Sequence, residues 1–503
     1  MEAVVAAGDI QTANSAIEIL KEGGNAFDAA AAALLSAPLA EPMLTSLGGG
    51  GFMMTFDKKN KIEFFDFFVD VPPKRGDKFD FFPIYVDFGN TIQEFHIGAA
   101  SIAIPGVVAG IYKIHKEKGK LPLKEIIKPA FKMAKEGYKI SKLQASFVKL
   151  LEPILLSTKE SKELFAPEDR LIDENSIIKN PNYASFLEEF AKEGDRLFYE
   201  GEIAKEIDKI SKEKGGFIRY EDLKRYRVYK REPITSRYLN YQISTPPPPS
   251  AGGILISFTL KLLQESTYEY DTFEYFQDLI ESMAITAEFR KEWVDQNLHN
   301  NILKEIIQDS NIIEHYKLSK KSRINLWGNT THLSIIDKEL NCVSVTTTNG
   351  EGSGIVLKSS GIMLNNMLGE EDLNPNGFFK WDPFIRLPSM MSPTIILKDQ
   401  MPYLILGSAG SNRIRSAIVQ VVENFLKFNF NIQKAIDLKR LHFEKEELFL
   451  EPGFKEEIIN KIKKRYKVTL FDQKSLFFGG VHAVTGDFKG GADKRRGGVV
   501  VTL

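Results

Sequence analysis

The stretch NTTHLSII, residues 329–336, joins a polar segment to an alternating run of the kind that forms a β-strand. The preceding residues, 309–329, are polar with a Lys/Ser-rich centre, so we expect a flexible connection there. A second alternating run, CVSVTTT, follows at 342–348 after a short turn. The two runs predict neighbouring strands, with the Asn329-Thr330 junction at the start of the first. By residue type alone, loop hydroxyls of this kind are more often structural than chemical.

The rest of the chain mixes helix-like and strand-like runs. Residues 26–37 are rich in Ala and predict a closely packed, buried helix, and residues 52–56 and 62–68 predict two strands. Four glycines, 48–51, precede these strands. No Gly-Lys-Ser/Thr follows them, so we expect a tight turn and not a phosphate loop. The strands need cover on both faces, which favours a layered arrangement of helices and sheets.

Composition excludes several classes of protein. The chain has 503 residues, 43% of them hydrophobic, with a net charge of −1, so there is no basic excess for binding nucleic acid. A single cysteine excludes an internal disulfide and is compatible with a reducing compartment. We find neither a signal peptide nor a run of 18 apolar residues. We therefore expect a soluble, cytoplasmic protein without a membrane partner.

Metal and simple nucleophile chemistry have little support in the sequence. The seven histidines and Cys342 lack the spacing of metal ligands, so we predict no metal and no cofactor. Cys342 lies in a strand-like run beside an apolar residue and is expected to be a buried hydrophobe. His332 could serve as a general base, although its position on a strand favours a structural role.

Eight motifs nevertheless occur in order over nearly the whole chain, and together they resemble the γ-glutamyltranspeptidase (glutathione hydrolase) family of N-terminal-nucleophile hydrolases. These motifs are residues 24–30, 46–52, 247–253, 329–336, 352–355, 364–366, 391–395 and 407–414. The resemblance implies an α+β fold, a layered αββα sandwich in which two stacked antiparallel sheets are covered by helices. It also implies a precursor that cleaves itself before Thr330. The products would be a large subunit, 1–329, and a small subunit, 330–503, which associate as one αββα unit.

The chemistry that the resemblance implies needs no His or Asp side chain as the general base. In the precursor, the Thr330 hydroxyl would attack the carbonyl of Asn329, and hydrolysis of the resulting ester would free the Thr330 amine. An α-amino group titrates near pH ~8, so it can act as the general base for its own hydroxyl.

The resemblance also assigns the surrounding residues. Thr348 would orient Thr330, and the backbone amides of Gly410 and Ser411 would form the oxyanion hole. The residues that would hold the α-amino and α-carboxylate groups of a γ-glutamyl substrate are Asn349, Glu370 and Ser389, with Met390 beside them.

This sequence departs from the family at several of these positions. Phe68 stands where the family has an arginine that clamps the substrate α-carboxylate, and Met390 replaces one of two paired serines. Ser411 and Met367 replace a family Gly and a family Gln or Asn. We expect Arg386 or Arg413 to take over the role of the missing clamp. The stretch 370–389 is shorter than in members with a lid loop, which favours hydrolysis over transpeptidation.

Three functions follow from these observations. The first is a self-processing threonine amidohydrolase and acyltransferase that cleaves γ-glutamyl amides such as glutathione through an acyl-enzyme on Thr330. The second is an acylase of the same fold acting on a non-γ-glutamyl amide, with an apolar pocket around Phe68 and Met390. The third is an unprocessed, non-catalytic binding homologue.

Overall fold

The computed structural model describes residues 2–87, 92–300, 302–308, 330–444 and 446–503. The predicted connection 309–329, including Asn329, lies outside the described residues. Within them the strands are β1 Ala3–Ala7, β2 Gly50–Asp57, β3 Lys61–Phe67, β4 Phe82–Asp87, β5 Ile92–Ile97, β6 Tyr229–Arg231, β7 Ile234–Tyr238, β8 Tyr241–Thr245, β9 Thr331–Asp337, β10 Cys342–Thr348, β11 Thr394–Lys398, β12 Met401–Ala409, β13 Leu441–Glu444, β14 Glu447–Leu450, β15 Lys467–Leu470, β16 Gly480–Thr485, β17 Gly490–Ala492 and β18 Val499–Thr502.

The α-helices of the described residues are α1 Ile10–Lys21, α2 Ala26–Ala40, α3 Val107–Lys118, α4 Leu123–Ile126, α5 Lys128–Glu136, α6 Lys142–Leu150, α7 Glu152–Leu155, α8 Lys159–Phe165, α9 Pro181–Glu193, α10 Arg196–Tyr199, α11 Glu202–Lys214, α12 Tyr220–Arg225, α13 Ala251–Leu263, α14 Phe273–Phe289, α15 Asp295–Asn297, α16 Ile302–Gln308, α17 Arg413–Val422, α18 Ile432–Asp437 and α19 Glu456–Lys463. Single π-helical turns, Arg290–Val294 and Glu423–Lys427, follow α14 and α17. No helix in the described part of the chain combines the length and apolar character needed to cross a membrane.

Two antiparallel sheets form the centre of the molecule. The first has seven strands in the order β18-β1-β9-β10-β2-β3-β6, and the second has six in the order β17-β16-β12-β11-β8-β7. Strands β9 and β10 of the first sheet contact β12 of the second, and α1 and α2 pack on the first sheet. Helices α13 and α17 pack on the second sheet. The predicted αββα sandwich is confirmed.

The first sheet is apolar on both faces because it lies between the second sheet and a helical layer. Along β1, Val4 and Ala6 join the core between the sheets, whereas Val5 and Ala7 join the core beneath α1 and α2. Successive side chains of a strand point to opposite faces, so both sets are buried. Each fully buried Val stabilises the fold by about 1.5–3 kcal/mol relative to its exposed state.

The sequence on either side of Thr330 contributes strands to the same sheet. Strand β9 pairs with β1, and β10 pairs with β2, so two strands from after Thr330 lie between two from before it. Two hydroxyls also link the stacked sheets: Ser344 Oγ donates to the carbonyl of Leu406 at 2.8 Å, and Ser334 Oγ to that of His482 at 3.2 Å. Cleavage before Thr330, which stays a prediction, would therefore leave two fragments that share one core.

The predicted tight turn at residues 48–51 is confirmed only in part: the N–H of Gly49 closes a turn on the carbonyl of Ser46 at 3.1 Å, and the glycines also allow close packing. Gly50 and Gly51 begin β2, and none of the four has a positive φ. A Cβ atom on Gly49 would lie 2.1 Å from the carbonyl oxygen of Thr348. Only glycine lets two backbones approach this closely. The segment thereby supports the end of β10, where the candidate site begins.

Replacing Gly49 with Ala should therefore displace Thr348. We expect Gly49→Ala to lower the thermal midpoint and to reduce catalytic activity more than 10-fold in the folded protein, as measured by calorimetry and turnover. Gly119→Ala is the matched control, since its Cβ would also meet a backbone carbonyl, that of His115, at 2.5 Å but outside the pocket. It should lower stability alone. Equal activity in the two variants would contradict the expectation.

Candidate active site

The register of two central strands places the predicted nucleophile. Thr331 on β9 is paired with Thr347 on β10, and the next residue of β9, His332, is paired with Thr346. Extending the same register by one residue brings Thr330 beside Thr348. Thr348 Oγ1 also accepts a hydrogen bond from the backbone N–H of Gly350 at 3.1 Å. The paired ends of two central strands thus hold both hydroxyl-bearing residues.

A cleft opens at these strand ends, with about 650 Å³ of empty space when the part open to solvent is included. Most of the predicted site residues meet in it. Its lining consists of Phe68, Ala251, Arg290, Asp295, Leu298, Thr330, Thr348, Glu370, Asp372, Leu373, Pro375, Pro388, Ser389, Met390, Met391, Ser411, Asn412 and Ile414.

Two predicted site residues flank the cleft without lining it. Gly410 precedes Ser411 in the chain, and Asn349 follows Thr348. The predicted cleavage partner, Asn329, lies outside the described residues. The roles assigned to all these residues remain predictions.

The predicted oxyanion hole lies in a sharp turn between β12 and α17. Gly410 has φ 121° and Ser411 has φ 52°, and a Cβ on Gly410 would lie 2.8 Å from Gly479 Cα. The carbonyls of Gly410 and Ser411 accept the N–H groups of Arg413 and Ile414 at 3.1 and 3.0 Å. Turns that combine left-handed backbone with a helix start present N–H groups to an anion, as an oxyanion hole requires.

The opposite side of the cleft is acidic. Glu370 Oε1 and Asn349 Oδ1 are buried acceptor atoms, and neither has a hydrogen-bond partner among the described residues. Burial raises the pKa of Glu370 well above its usual value, and the charges of Glu351 and Asp372 raise it further. Both oxygens can accept hydrogen bonds from an ammonium group, which supplies three donors and whose positive charge favours the ionised form of Glu370.

Neither of the two arginines named as substitutes for the missing clamp lines the cleft. Phe68 lines the cleft and packs on Phe52, with ring centroids 5.4 Å apart. Arg386 lies outside the cleft because Asp70, 2.9 Å from its Nε, and the Tyr226 hydroxyl, 2.7 Å from Nη1, hold it in the core.

Arg413 also lies outside the cleft, and its Nε donates to the carbonyl of Phe477 at 3.2 Å. Neither Arg386 nor Arg413 therefore has a position from which the structure supports the role of the clamp. The arginine in the cleft is Arg290, on the π-helical turn after α14, and its side chain is 20% exposed. A charged residue on a long amphipathic helix carries no distinctive sequence signal, so sequence reasoning missed it.

A buried carboxyl group that contacts Thr331 was also missed. Glu41, at the end of α2, accepts hydrogen bonds from Thr331 Oγ1 at 2.6 Å and Thr12 Oγ1 at 2.8 Å. Burial raises the pKa of Glu41 to about 7, with a further contribution from Asp9, while the two threonine hydrogen bonds lower it. Glu41 thus anchors the residue that follows Thr330.

Two further titratable residues named from the sequence, His332 and Cys342, are buried in the core. His332 is buried, with ring nitrogens 2.8 Å from Thr346 Oγ1 and 2.9 Å from Ser334 Oγ, and burial lowers its pKa well below the usual value. Cys342 is buried, as predicted. Among the described residues, no cluster of three or more His, Cys, Asp or Glu side chains could hold a metal ion.

Comparison with known proteins identifies the family. The model of the family described as Gamma-glutamyltranspeptidase matches residues 12–503. The chain belongs to the gamma-glutamyltranspeptidase family. At the level of this family it is a hydrolase or transferase of the N-terminal-nucleophile type, and the resemblance drawn from the eight motifs is confirmed.

Individual relatives cover nearly the same length. The glutathione hydrolase proenzyme of Escherichia coli K12 is 31% identical, over 93% of this chain and 86% of that protein. The capsule biosynthesis protein CapD proenzyme of Bacillus anthracis is 29% identical, over 96% and 87%. The structure of a cephalosporin acylase from Bacillus halodurans superposes with a TM-score of 0.88 at 23% identity, covering 100% of this chain and 96% of that one. The last similarity bears on the fold alone.

Glu41 should make stability depend on pH. The pKa of Glu41 is about 7 in the folded protein and near 4.5 when the chain is unfolded, so its contribution to stability falls as pH rises between these values. Glu41→Gln removes this loss. From pH 5 to pH 8 the wild type should lose about 3 kcal/mol of unfolding free energy relative to the variant, as measured in urea. The exposed Glu22→Gln should show no such difference, and a constant gap between wild type and Glu41→Gln would contradict the assignment.

Proposed function

We propose that this protein is a self-processing threonine amidohydrolase that cleaves γ-glutamyl amides such as glutathione through an acyl-enzyme on Thr330. One observation carries the choice of substrate. The cleft that contains Thr330 also contains Glu370, whose buried Oε1 lacks a hydrogen-bond partner among the described residues and can accept the α-ammonium group of a γ-glutamyl substrate.

Processing creates the catalytic group. Thr330 Oγ1 attacks the carbonyl carbon of Asn329, the peptide nitrogen leaves as the Thr330 amine, and an ester joins Asn329 to the Thr330 hydroxyl. Water hydrolyses this ester, which releases residues 1–329 with a free carboxyl group and leaves Thr330 as a new N-terminus. Because β9 and β10 lie between β1 and β2, the two fragments stay associated.

Turnover repeats the same chemistry on the substrate. The Thr330 amine takes the proton of its own hydroxyl, Oγ1 bonds to the amide carbon, and the developing oxyanion is stabilised by the N–H groups of Gly410 and Ser411. The amine of the substrate leaves after taking the proton. Water then attacks the acyl ester, which releases the acid and restores Thr330. Thr348, next to Thr330 across the strand pair, orients the hydroxyl.

Charges in the cleft suit a zwitterionic acyl group. In the proposed complex, Glu370 and Asn349 bind the ammonium, and Ser389 donates to the α-carboxylate. Arg290 is the cation in the cleft that can offset the carboxylate charge which Phe68 cannot bind. The short stretch 370–389 leaves the acyl-enzyme open to water, so hydrolysis is favoured over transfer.

A second candidate is an acylase for a non-γ-glutamyl amide. Phe68 and Met390 give the cleft an apolar wall at positions where a γ-glutamyl pocket would be polar. Such a wall suits an acyl chain without charged groups at its far end.

Processing is tested by mass. On incubation the chain of 56.8 kDa should yield pieces of about 37 and about 20 kDa in proportion to their lengths, the smaller starting Thr330-Thr331-His332. Thr330→Ala should stay intact, and the neighbouring Thr331→Ala is the control that keeps the hydroxyl of the nucleophile. Intact mass and N-terminal sequencing measure the outcome. A wild-type chain that persists on long incubation would instead support the non-catalytic binding homologue.

Glu370 tests the substrate class. We expect Glu370→Gln to reduce kcat/KM for a γ-glutamyl anilide about 10–100-fold, because a charge-assisted hydrogen bond contributes about 1.5–3 kcal/mol. The same variant should change kcat/KM for the glutaryl anilide, which lacks the amino group, less than 3-fold. Glu371→Gln, the exposed neighbour, is the matched control. Wild-type protein that prefers a pentanoyl anilide to both would favour the second candidate.

A further inference from the structure

One wall of the cleft is formed by five residues that polar contacts join in a chain. The proposed mechanism gives no role to these contacts between the residues. Asp295 Oδ1 accepts from Arg290 Nε at 3.1 Å, and Arg290 Nη1 donates to Asn412 Oδ1 at 3.0 Å. Asn412 Nδ2 donates to Asp372 Oδ1 at 3.3 Å, and Ser411 Oγ donates to Asp372 Oδ2 at 2.5 Å. All five residues line the cleft with Thr330.

Ser411 is the strained member of this wall. Its φ of 52° lies in the left-handed region, which glycine adopts freely but which costs a residue with a Cβ about 1–2 kcal/mol. Such a conformation persists only where the surroundings enforce it. The hydroxyl of Ser411 provides that restraint, because its donor is used on Asp372 and ties the side chain to a different loop.

We propose that Asp372 is a positioning residue that holds Ser411 in its left-handed conformation and thereby aims the backbone N–H of Ser411 at the oxygen of the acyl carbonyl. This role rests on the proposed acyl-transfer function. Asp372 acts through Ser411 and need not touch the substrate.

The placement of Asp372 couples the two ends of the substrate site. It lies in the 3₁₀ turn Glu371–Leu373, directly after Glu370. The carboxylate that would bind the substrate ammonium and the carboxylate that holds the oxyanion turn therefore belong to one short segment. Asn412 adds a second bond from the same turn to Asp372, and Arg290 fixes Asn412 from the side of α14. Ordering of Glu370 by substrate would consequently stiffen the oxyanion turn.

The test compares the loss of Asp372 in two backgrounds. On fully processed protein, Asp372→Ala should lower kcat about 10–100-fold and change KM less than 3-fold, because displacing one oxyanion donor affects the transition state and not the bound substrate. In a Ser411→Gly background, where glycine needs no restraint, the same substitution should lower kcat less than 3-fold. Glu371→Ala, in the same turn but exposed, is the matched control.

A second comparison leaves the carboxylate in place. Ser411→Ala removes the hydroxyl, keeps the Cβ atom, and should lower kcat as far as Asp372→Ala does, with no further loss in the double variant. Equal losses from Asp372→Ala in the wild-type and Ser411→Gly backgrounds, or additive losses in the double variant, would overturn the positioning role. A wild-type protein that neither processes itself nor turns over γ-glutamyl anilide would instead reject the proposed function.

Discussion

The antiparallel pairing of β9 with β10 is the constraint on which the rest of the molecule depends. These strands occupy the middle of the first sheet, with β1 on one side and β2 on the other, and both of their faces are buried. A slip of one residue would turn every apolar side chain to the wrong face, so the register is strongly specified. The same register puts Thr330 next to Thr348 at the edge of the cleft. The geometry of the candidate site is thus set by core packing.

Around the cleft, the fold leaves buried polar atoms without a hydrogen-bond partner among the described residues. Glu370 Oε1 and Asn349 Oδ1 lack partners among the described residues, and each such atom costs free energy until a ligand supplies a donor. Some buried charges elsewhere in the core are paired, as for Arg386 with Asp70, 2.9 Å apart. A substrate with an ammonium group would supply the donors that folding does not, which ties affinity to architecture.

The fold was largely predictable because period and composition are local properties. The alternation in 331–336 and 342–348 and the Ala-rich run in 26–37 correspond to β9, β10 and α2. The turn predicted for the glycines 48–51 includes only Gly48 and Gly49, since the same residue type serves both a tight turn and a close backbone approach. The segment that these glycines contact, the end of β10, is almost 300 residues away in the chain, and no local sequence pattern indicates this contact.

By itself the sequence determined, from hydrophobic period, a layered arrangement of helices and sheets. Its eight motifs in fixed order implied, through the family that they resemble, the αββα class and the role of Thr330. Only the tertiary structure decided which charged groups face the cleft. Arg290 enters it and Arg386 does not, and Glu41 accepts a hydrogen bond from Thr331, the residue after Thr330. The reason is physical: a charge is placed by the burial and the partners it meets on other elements, and neither is encoded in its own neighbourhood.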